Sequence, residues 1–462
     1  MYRKKAHVHF MGIGGIGMSG IATILQAQGF IVSGCDQDIQ QKSVIDLKAA
    51  GCPIADHHNS FICQDSSIDV LVYSSAIRAD NTEILLAQQR SIPVIPRALM
   101  LAELMRTKFS IAVAGSHGKT TTTSMISHIL IESKLDPTVI IGGHLIEQST
   151  NAQLGTGDFL VAEADESDRS FLKLQATLGI VTNIDLEHLE TYKDLDDIKQ
   201  TYMQFLNNLP FYGKAIVCID DPVIQSLMPL THIKTIKYGL SESADFYAKN
   251  INLQPSYSTF DLYKKDCTTS LGVIKIHMPG QHNILNCLAA IAVALDLEVP
   301  LSSIVTALDV FKGIQRRFSY CGSFKGTEVF DDYGHHPREI ENTLKVARKR
   351  SKNKLHVFFQ PHRYTRTYYL WKDFLKVFEE SNIDSLVITD IYPASEQPID
   401  GVSSKRFVDE LIAQNPPFSV TYIPYENDFS SLISQSHQTA GQDDLLLLLG
   451  AGKINKLFDK LK

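Results

Sequence analysis

Short apolar runs, each followed by a glycine or polar turn and then by a segment of helical period, recur along this chain. Residues 8–11 lead into a glycine turn and then Ile21, Ile24 and Leu25. Residues 70–73 precede Ser74 and Ser75, and residues 111–114 precede a second glycine loop and then Met125, Ile126, Ile129 and Leu130. Further runs lie at 159–162, 179–182, 215–219, 329–330, 355–359, 386–389 and 445–449. This alternation predicts an α/β fold of mostly parallel sheets with helices on both faces. The five leucines at 445–449 read as a strand buried on both faces. At 462 residues the chain is too long for one core. Prolines at 93 and 96, and Gly313 before Arg316 and Arg317, suggest boundaries near 107 and 315. The expected domains are 1–107, 108–314 and 315–462, with a loosely alternating stretch at 240–275 as an antiparallel edge to the middle sheet.

Charge narrows the function. Lys plus Arg number 44 and Asp plus Glu 51, so the net charge is −7. A mildly acidic chain is not an obvious binder of nucleic acid or membrane surface. Seven cysteines without a Cys-x-x-Cys pair argue for a reducing compartment and against a disulfide frame or zinc knuckle; each reads as a small buried apolar side chain. Arg3, Lys4 and Lys5 precede an apolar stretch, as in a signal peptide, but His7, His9 and the glycines at 12, 14, 15, 17 and 20 interrupt it. No later run is long enough to span a bilayer. A cytoplasmic protein is expected.

Residues 12–17, Gly-Ile-Gly-Gly-Ile-Gly, fit Gly-x-Gly-x-x-Gly between a strand and a helix, and Asp36 stands 19 residues after Gly17, beyond a second strand at 30–33. Such a turn brings backbone N–H groups and a helix N-terminus to a pyrophosphate, and the acidic residue accepts from a ribose hydroxyl. Nicotinamide and other diphosphate nucleotides satisfy it equally. A nicotinamide-dependent dehydrogenase is therefore one alternative on this loop alone.

The second loop reads Gly115-Ser116-His117-Gly118-Lys119-Thr120-Thr121. Lys119 would offer a cation to the β- and γ-phosphates, the glycines would let the backbone close on phosphate oxygens, and the Thr120 or Thr121 hydroxyl would meet Mg²⁺. Val113 replaces the first glycine of the general Walker pattern. Two acidic segments follow strands: 163–168, with Glu163, Asp165 and Glu166, and 183–188, with Asp185, Glu187 and His188. Ligands gather at the carboxyl ends of parallel strands, and Mg²⁺ takes one or two protein carboxylates. Glu163 is the first candidate. A regulatory ATP-binding protein without catalytic chemistry also satisfies these residues.

Nine segments, in order along nearly the whole chain, resemble the Mur ligase family. They are GIGGIGMSGIA at 12–22, SSAI at 74–77, GSHGKTTT at 115–122, EADESD at 163–168, HNILN at 282–286, RRF at 316–318, DDYGHHP at 331–337, FQPHRYTRT at 359–367 and GAG at 450–452. Within the family, DDYGHHP and FQPHRYTRT are similar to the alanine-adding member. The resemblance implies an N-terminal Rossmann-like domain for a UDP-sugar, a central P-loop-type ATPase domain and a C-terminal Rossmann-like domain. It implies ATP-dependent ligation of L-alanine to UDP-N-acetylmuramic acid through an acyl phosphate, by a monomer or weak homodimer. The recycling ligase that transfers a tripeptide to the same sugar is the nearest rival.

By matched position the resemblance assigns Lys119, His188 and Arg317 to catalysis. It assigns residues 115–121, Asn283, Asn286, Arg317 and Asp332 to ATP, and Thr120, Glu163 and His188 to Mg²⁺. Gly14, Gly15, Ile16, Gly17, Asp36, Ser74 and Ser75 would meet the UDP-sugar, with Tyr333 and His336 also on the substrate, and His362 with Arg366 on alanine. Asp185 and Glu187 exchange the two acids of the usual Asn-x-Glu-x-Asp-His segment and are left off the metal set. Other family members carry a carbamylated lysine beyond this histidine. Residues 200–213 contain no lysine and Lys199 lies too early, so none is expected.

Overall fold

The structure is a computed structural model that describes residues 5–57, 63–74, 77–78, 80–142, 151–394 and 396–462. Ser75, an expected substrate contact, lies outside the described residues.

Three sheets order the chain. The first is parallel throughout, with strands in the order Ile54–Ala55, Ile31–Cys35, His7–Met11, Val70–Tyr73, Val94–Pro96. The order reverses between His7–Met11 and Val70–Tyr73, so the crevice beyond their carboxyl ends is where such a sheet takes a ligand. The glycine loop at 12–15 and Ser74 both sit there.

Among the described residues the second sheet has ten strands. Its parallel centre runs Lys234–Gly239, Lys214–Cys218, Leu178–Val181, Phe109–Ala114, Phe159–Glu163, Thr138–Ile140. Phe246–Leu253, Ser258–Lys264 and Gly272–Ile276 extend it on one side, with antiparallel pairing among the three. The expected antiparallel edge is therefore present. The third sheet runs Ser319–Phe324, Thr327–Asp332, Leu445–Leu449, Leu355–Phe359, Ser385–Ile388, Ser419–Tyr422, and only its first pair is antiparallel.

The leucine strand shows why these sheets bury both faces. Leu445, Leu447 and Leu449 pack into a cluster with Phe359, Phe374 and Phe378, whereas Leu446 and Leu448 face a second cluster with Phe429, Leu432 and Phe458. Burial of such a side chain stabilises by roughly 1.5–3 kcal/mol, so either face left bare would weaken the domain. The other two sheets share one continuous core. Helix Ile16–Ala27 closes it against the central sheet: a Cβ on Gly20 would stand 3.2 Å from Ala152 Cβ, and Asn151 Nδ2 donates to Ile16 O and Ser19 Oγ. No helix among the described residues is long and apolar enough to cross a membrane.

Candidate active site

The loop after strand Phe109–Ala114 is shaped by its neighbours before any ligand is considered. Gly115 has φ +133°, and a Cβ there would meet Thr182 Oγ1 at 2.0 Å. Gly118 has φ +80°, and a Cβ would meet Asn286 Oδ1 at 2.4 Å. Helix Lys119–Glu132 starts there, with Met125, Ile126, Ile129 and Leu130 buried as its spacing predicts. The Ser116 hydroxyl accepts from Asp185 N at 2.8 Å. Lys119 Nζ curls back, donating to Gly115 O at 2.6 Å, Ser116 O at 3.1 Å and Glu166 Oε1 at 2.7 Å. Burial alone would lower its pKa, but the Glu166 and Glu163 carboxylates outweigh it and raise it. Lys119 is a fixed cation.

The two acidic strand ends converge on this loop. The Thr120 hydroxyl donates to Glu163 Oε2 at 3.0 Å, and Gly142 N donates to the same oxygen at 2.8 Å. Burial raises the Glu163 pKa, with Lys119 acting against it. His188, at φ +55°, has Nε2 3.6 Å from Glu166 Oε1 and Nδ1 3.5 Å from Glu190 Oε1. A left-handed conformation in a non-glycine residue costs of order 1–3 kcal/mol and persists where the surroundings impose it. Burial would lower the His188 pKa; Glu166 and Glu190 raise it to about 9. The expected metal set is thus divided. Thr120 contacts Glu163, whereas His188 groups with Glu166 and Glu187, whose facing atoms lie within 4.8 Å of one another. Glu166 Oε2 and Glu187 Oε1 are buried without a hydrogen bond. A set rich in carboxylate oxygen suits a hard divalent cation.

The C-terminal domain supplies a second cation. Arg317 Nη1 lies 3.7 Å from Glu339 Oε1, and its guanidinium lies 5.6 Å from the Tyr333 ring. His117 joins the two domains: Nε2 lies 3.2 Å from Asp185 Oδ2 and Nδ1 3.4 Å from Glu339 Oε1. Burial would lower the His117 pKa; Asp185 and Glu339 raise it to about 10. Glu339 was not among the expected site residues. Its position three after His336, with proline between, reads as a capping box, which it forms; nothing local signals that Glu339 also meets His117 and Arg317.

One cavity of about 430 Å³ is lined by all three domains, including Ile16, Lys119, Thr120, Glu163, His188 and Arg317. Tyr333 lines it too. His336 does not: it is the N-cap of helix Pro337–Arg350, so its Nδ1 turns to the Arg338 amide, and the adjacent His335 reaches the cavity instead. A second cavity of about 230 Å³ is lined by Thr121, Asn283, Arg317 and Asp332. Asn286 lines a third cavity, of about 470 Å³, with His117, Gly118 and His282. It contacts Thr122 Oγ1 at 3.3 Å and presses on Gly118, which makes it a brace for the loop. Both Asp332 oxygens are engaged, Oδ2 by Phe318 N at 2.8 Å and Oδ1 by Gly334 N at 2.7 Å. Arg366 and His362 come together, Nη1 to Nδ1 at 3.2 Å, and Arg366 Nη2 lies 3.6 Å from Glu187 Oε1. His362 stacks on Tyr392, and burial, His335 and Arg366 lower its pKa to about 3. It is neutral.

In the N-terminal domain Asp36 grips the glycine loop itself: Oδ2 accepts from Gly14 N at 2.8 Å and Oδ1 from Asp38 N at 3.0 Å. Gly17 admits Arg97, whose Nη1 would stand 2.2 Å from a Cβ, and Arg97 Nη2 donates to Asp165 Oδ2 at 2.9 Å across the domain boundary. Ser74 abuts the loop, its Cβ 3.3 Å from the place of a Cβ on Gly12.

Family models match the chain in three consecutive parts: the Mur ligase family catalytic domain over 7–109, the Mur ligase middle domain over 113–294 and the Mur ligase glutamate ligase domain over 316–452. The UDP-N-acetylmuramate–L-alanine ligase of Syntrophotalea carbinolica is 47% identical over 463 aligned positions, covering 100% of this chain and 98% of the relative. That of Syntrophus aciditrophicus is 45% identical, covering 99% and 93%. Among solved structures, the UDP-N-acetylmuramate–alanine ligase of Thermotoga maritima superposes with a TM-score of 0.79 at 27% identity, covering 98% of each chain. The murein peptide ligase of Psychrobacter arcticus has a TM-score of 0.73 at 24% identity, a likeness of fold, covering 99% of this chain and 98% of that one. With all three family parts present in order over three α/β sheets, the chain belongs to the Mur ligase family.

Proposed function

We propose that this enzyme joins L-alanine to the lactyl carboxylate of UDP-N-acetylmuramic acid at the expense of ATP, releasing ADP and phosphate, in cytoplasmic peptidoglycan synthesis. The observation that carries the reading is the cavity in which Lys119, Thr120, Glu163, His188 and Arg317 meet. The choice of sugar and amino acid rests on the names of the full-length relatives. We read the domains as 1–107 for the UDP-sugar, 108–314 for ATP and 315–462 for the amino acid.

A carboxylate that attacks a γ-phosphate brings two anions together, so the site must supply positive charge where the two meet. Lys119, held by Glu166, and Arg317, held by Glu339, do so from opposite domains. Thr120 and Glu163 would hold Mg²⁺, with His188 beside them; the ion supplies charge neutralisation on phosphate oxygens. The carboxylate oxygen forms a bond to phosphorus as the bond to ADP breaks. The alanine amine then attacks the acyl carbon, and the tetrahedral intermediate collapses to amide and phosphate. Arg366, set by His362, takes the alanine carboxylate. Asn283 and Asp332 line the second cavity and take the nucleoside. Residues 14–17, Asp36 and Ser74 hold the UDP portion. The enzyme acts as a monomer or weak homodimer.

The test is phosphate release with UDP-N-acetylmuramic acid, ATP and Mg²⁺. L-alanine alone should drive turnover. Turnover with the tripeptide and not with alanine would overturn the reading in favour of the recycling ligase.

A further inference from the structure

A second group of chemistry-bearing side chains lies inside the N-terminal domain, away from the cavity above. His9 comes from the central strand His7–Met11, Cys35 from the end of the neighbouring strand, Cys63 from the segment after Ile54–Ala55, and Glu83 from helix Thr82–Gln89. All four are buried, His9 and Cys35 fully. One ligand atom from each lies within 4.8 Å of the other three. Around them pack Met11, Ala55, Leu71, Ile84 and Ala87.

We propose that His9, Cys35, Cys63 and Glu83 form a tetrahedral site for a transition-metal dication, zinc by preference. Two thiolates, an imidazole and a carboxylate are a donor set that zinc takes, with bonds of about 2.3 Å to sulfur and about 2.0–2.2 Å to nitrogen and oxygen. Tetrahedral ligands at such lengths stand about 3.3–3.8 Å apart. Cys35 Sγ lies 3.5 Å from Glu83 Oε2 and 3.9 Å from Oε1. His9 Nε2 lies 2.8 Å from Glu83 Oε1, an ion-pair distance, so loading moves these two groups apart by roughly 0.5 Å.

The surroundings can present the outer ring nitrogen to an ion. Ser33 Oγ lies 2.8 Å from His9 Nδ1 and 2.7 Å from His7 Nε2, and His7 Nδ1 lies 2.9 Å from Ser67 Oγ. When Ser33 accepts from His9 Nδ1–H and donates to His7 Nε2, Nε2 is the nitrogen left to bind the ion. Metal-binding histidines are oriented by such an outer partner. Loading releases the two thiol protons of Cys35 and Cys63, and any proton on His9 Nε2. The carbonyl of Cys35 accepts from Gly12 N and Ile13 N, at 2.9 and 3.2 Å, so a metal at Cys35 also steadies the root of the glycine loop.

Cobalt(II) reports thiolate ligation directly. The full-length reduced chain, stripped with chelator, should on titration with cobalt develop a thiolate-to-metal charge-transfer band and the strong visible bands of a tetrahedral ion. Both should saturate at one ion per chain, and zinc should abolish them. Cys63→Ser should lose about half of the charge-transfer intensity, and the double variant Cys35→Ser with Cys63→Ser all of it. A control with Cys267→Ser and Cys321→Ser, the thiols with solvent access, should keep it. Absence of the charge-transfer band from the unaltered chain overturns the proposal. So does a spectrum of oxygen- and nitrogen-bound cobalt alone, which belongs at the phosphate loop. Should the cysteine variants fail to fold, the spectrum of the unaltered chain still decides.

Discussion

The two glycine loops at 12–17 and 115–120 occupy the same place in their units, between a parallel strand and the first turn of a helix, and each has carboxylates close by. The carboxylates do different work. Asp36 accepts from the Gly14 amide, so it shapes a loop whose own backbone makes the site. Glu166 and Glu163 instead hold an ammonium and a hydroxyl, so they set reactive side chains in place. The first loop is fixed through its backbone and the second through its side chains. A glycine pattern with an acid downstream does not distinguish these tasks; the residue the acid touches does.

The sharpest break between the loops is Lys119→Ala. Turnover should fall by about 10²–10³-fold or more, while calorimetric titration with UDP-N-acetylmuramic acid stays near that of the unaltered enzyme. Next is a pair of glycine substitutions. Gly118→Ala meets Asn286 from a left-handed backbone and should cost about 1–3 kcal/mol in denaturant unfolding, with loss of ATP binding. At Gly15 a Cβ would find nothing closer than Gly12 O at 3.5 Å, so Gly15→Ala should leave stability unchanged and raise KM for the UDP-sugar alone. If both variants unfold alike, the contrast between the loops is gone.

Arg366→Ala should raise KM for alanine by about 10–100-fold, the worth of a charge-assisted contact of roughly 1.5–3 kcal/mol, with KM for ATP unmoved. Asp36→Asn should weaken UDP-sugar binding by about tenfold or less, since one net hydrogen bond is worth about 1 kcal/mol.

A further effect is with pH. The folded pKa of His117 is about 10, raised from an ordinary 6.5. The stability it lends is therefore complete below about pH 6.5 and is lost as pH rises through 10. Tm of the unaltered chain should fall more between these values than that of His117→Gln. Equal slopes would remove the proton from the contact between the central and C-terminal domains.

Much of this was legible in the sequence because parallel strands between helices leave long apolar runs, and Leu445–Leu449 is the plainest. Lys119, Thr120 and Glu163 were legible for a related reason: ligands collect at strand ends, and strand ends follow from the runs. Glu339 and the group around His9 were not. Cys35 and Cys63 read as inert apolar side chains, since His9, Cys35, Cys63 and Glu83 are spaced by sheet order and not by any local repeat. The resemblance assigned His336 to the substrate; in the structure His336 caps helix Pro337–Arg350 and the adjacent His335 lines the cavity. Periodicity says which face is covered, not which partner covers it.

Arg317 lines both the cavity of about 430 Å³ and that of about 230 Å³. A side chain that forms a shared wall makes the two occupants thermodynamically answerable to each other. If one ligand, by shifting that guanidinium, changes the affinity of the other by some factor, the other changes the first's affinity by the same factor. A substitution at Arg317 will therefore look like a nucleotide defect when ATP is varied and like an acceptor defect when the sugar is varied. Only a full two-ligand grid will reveal that the two defects are one.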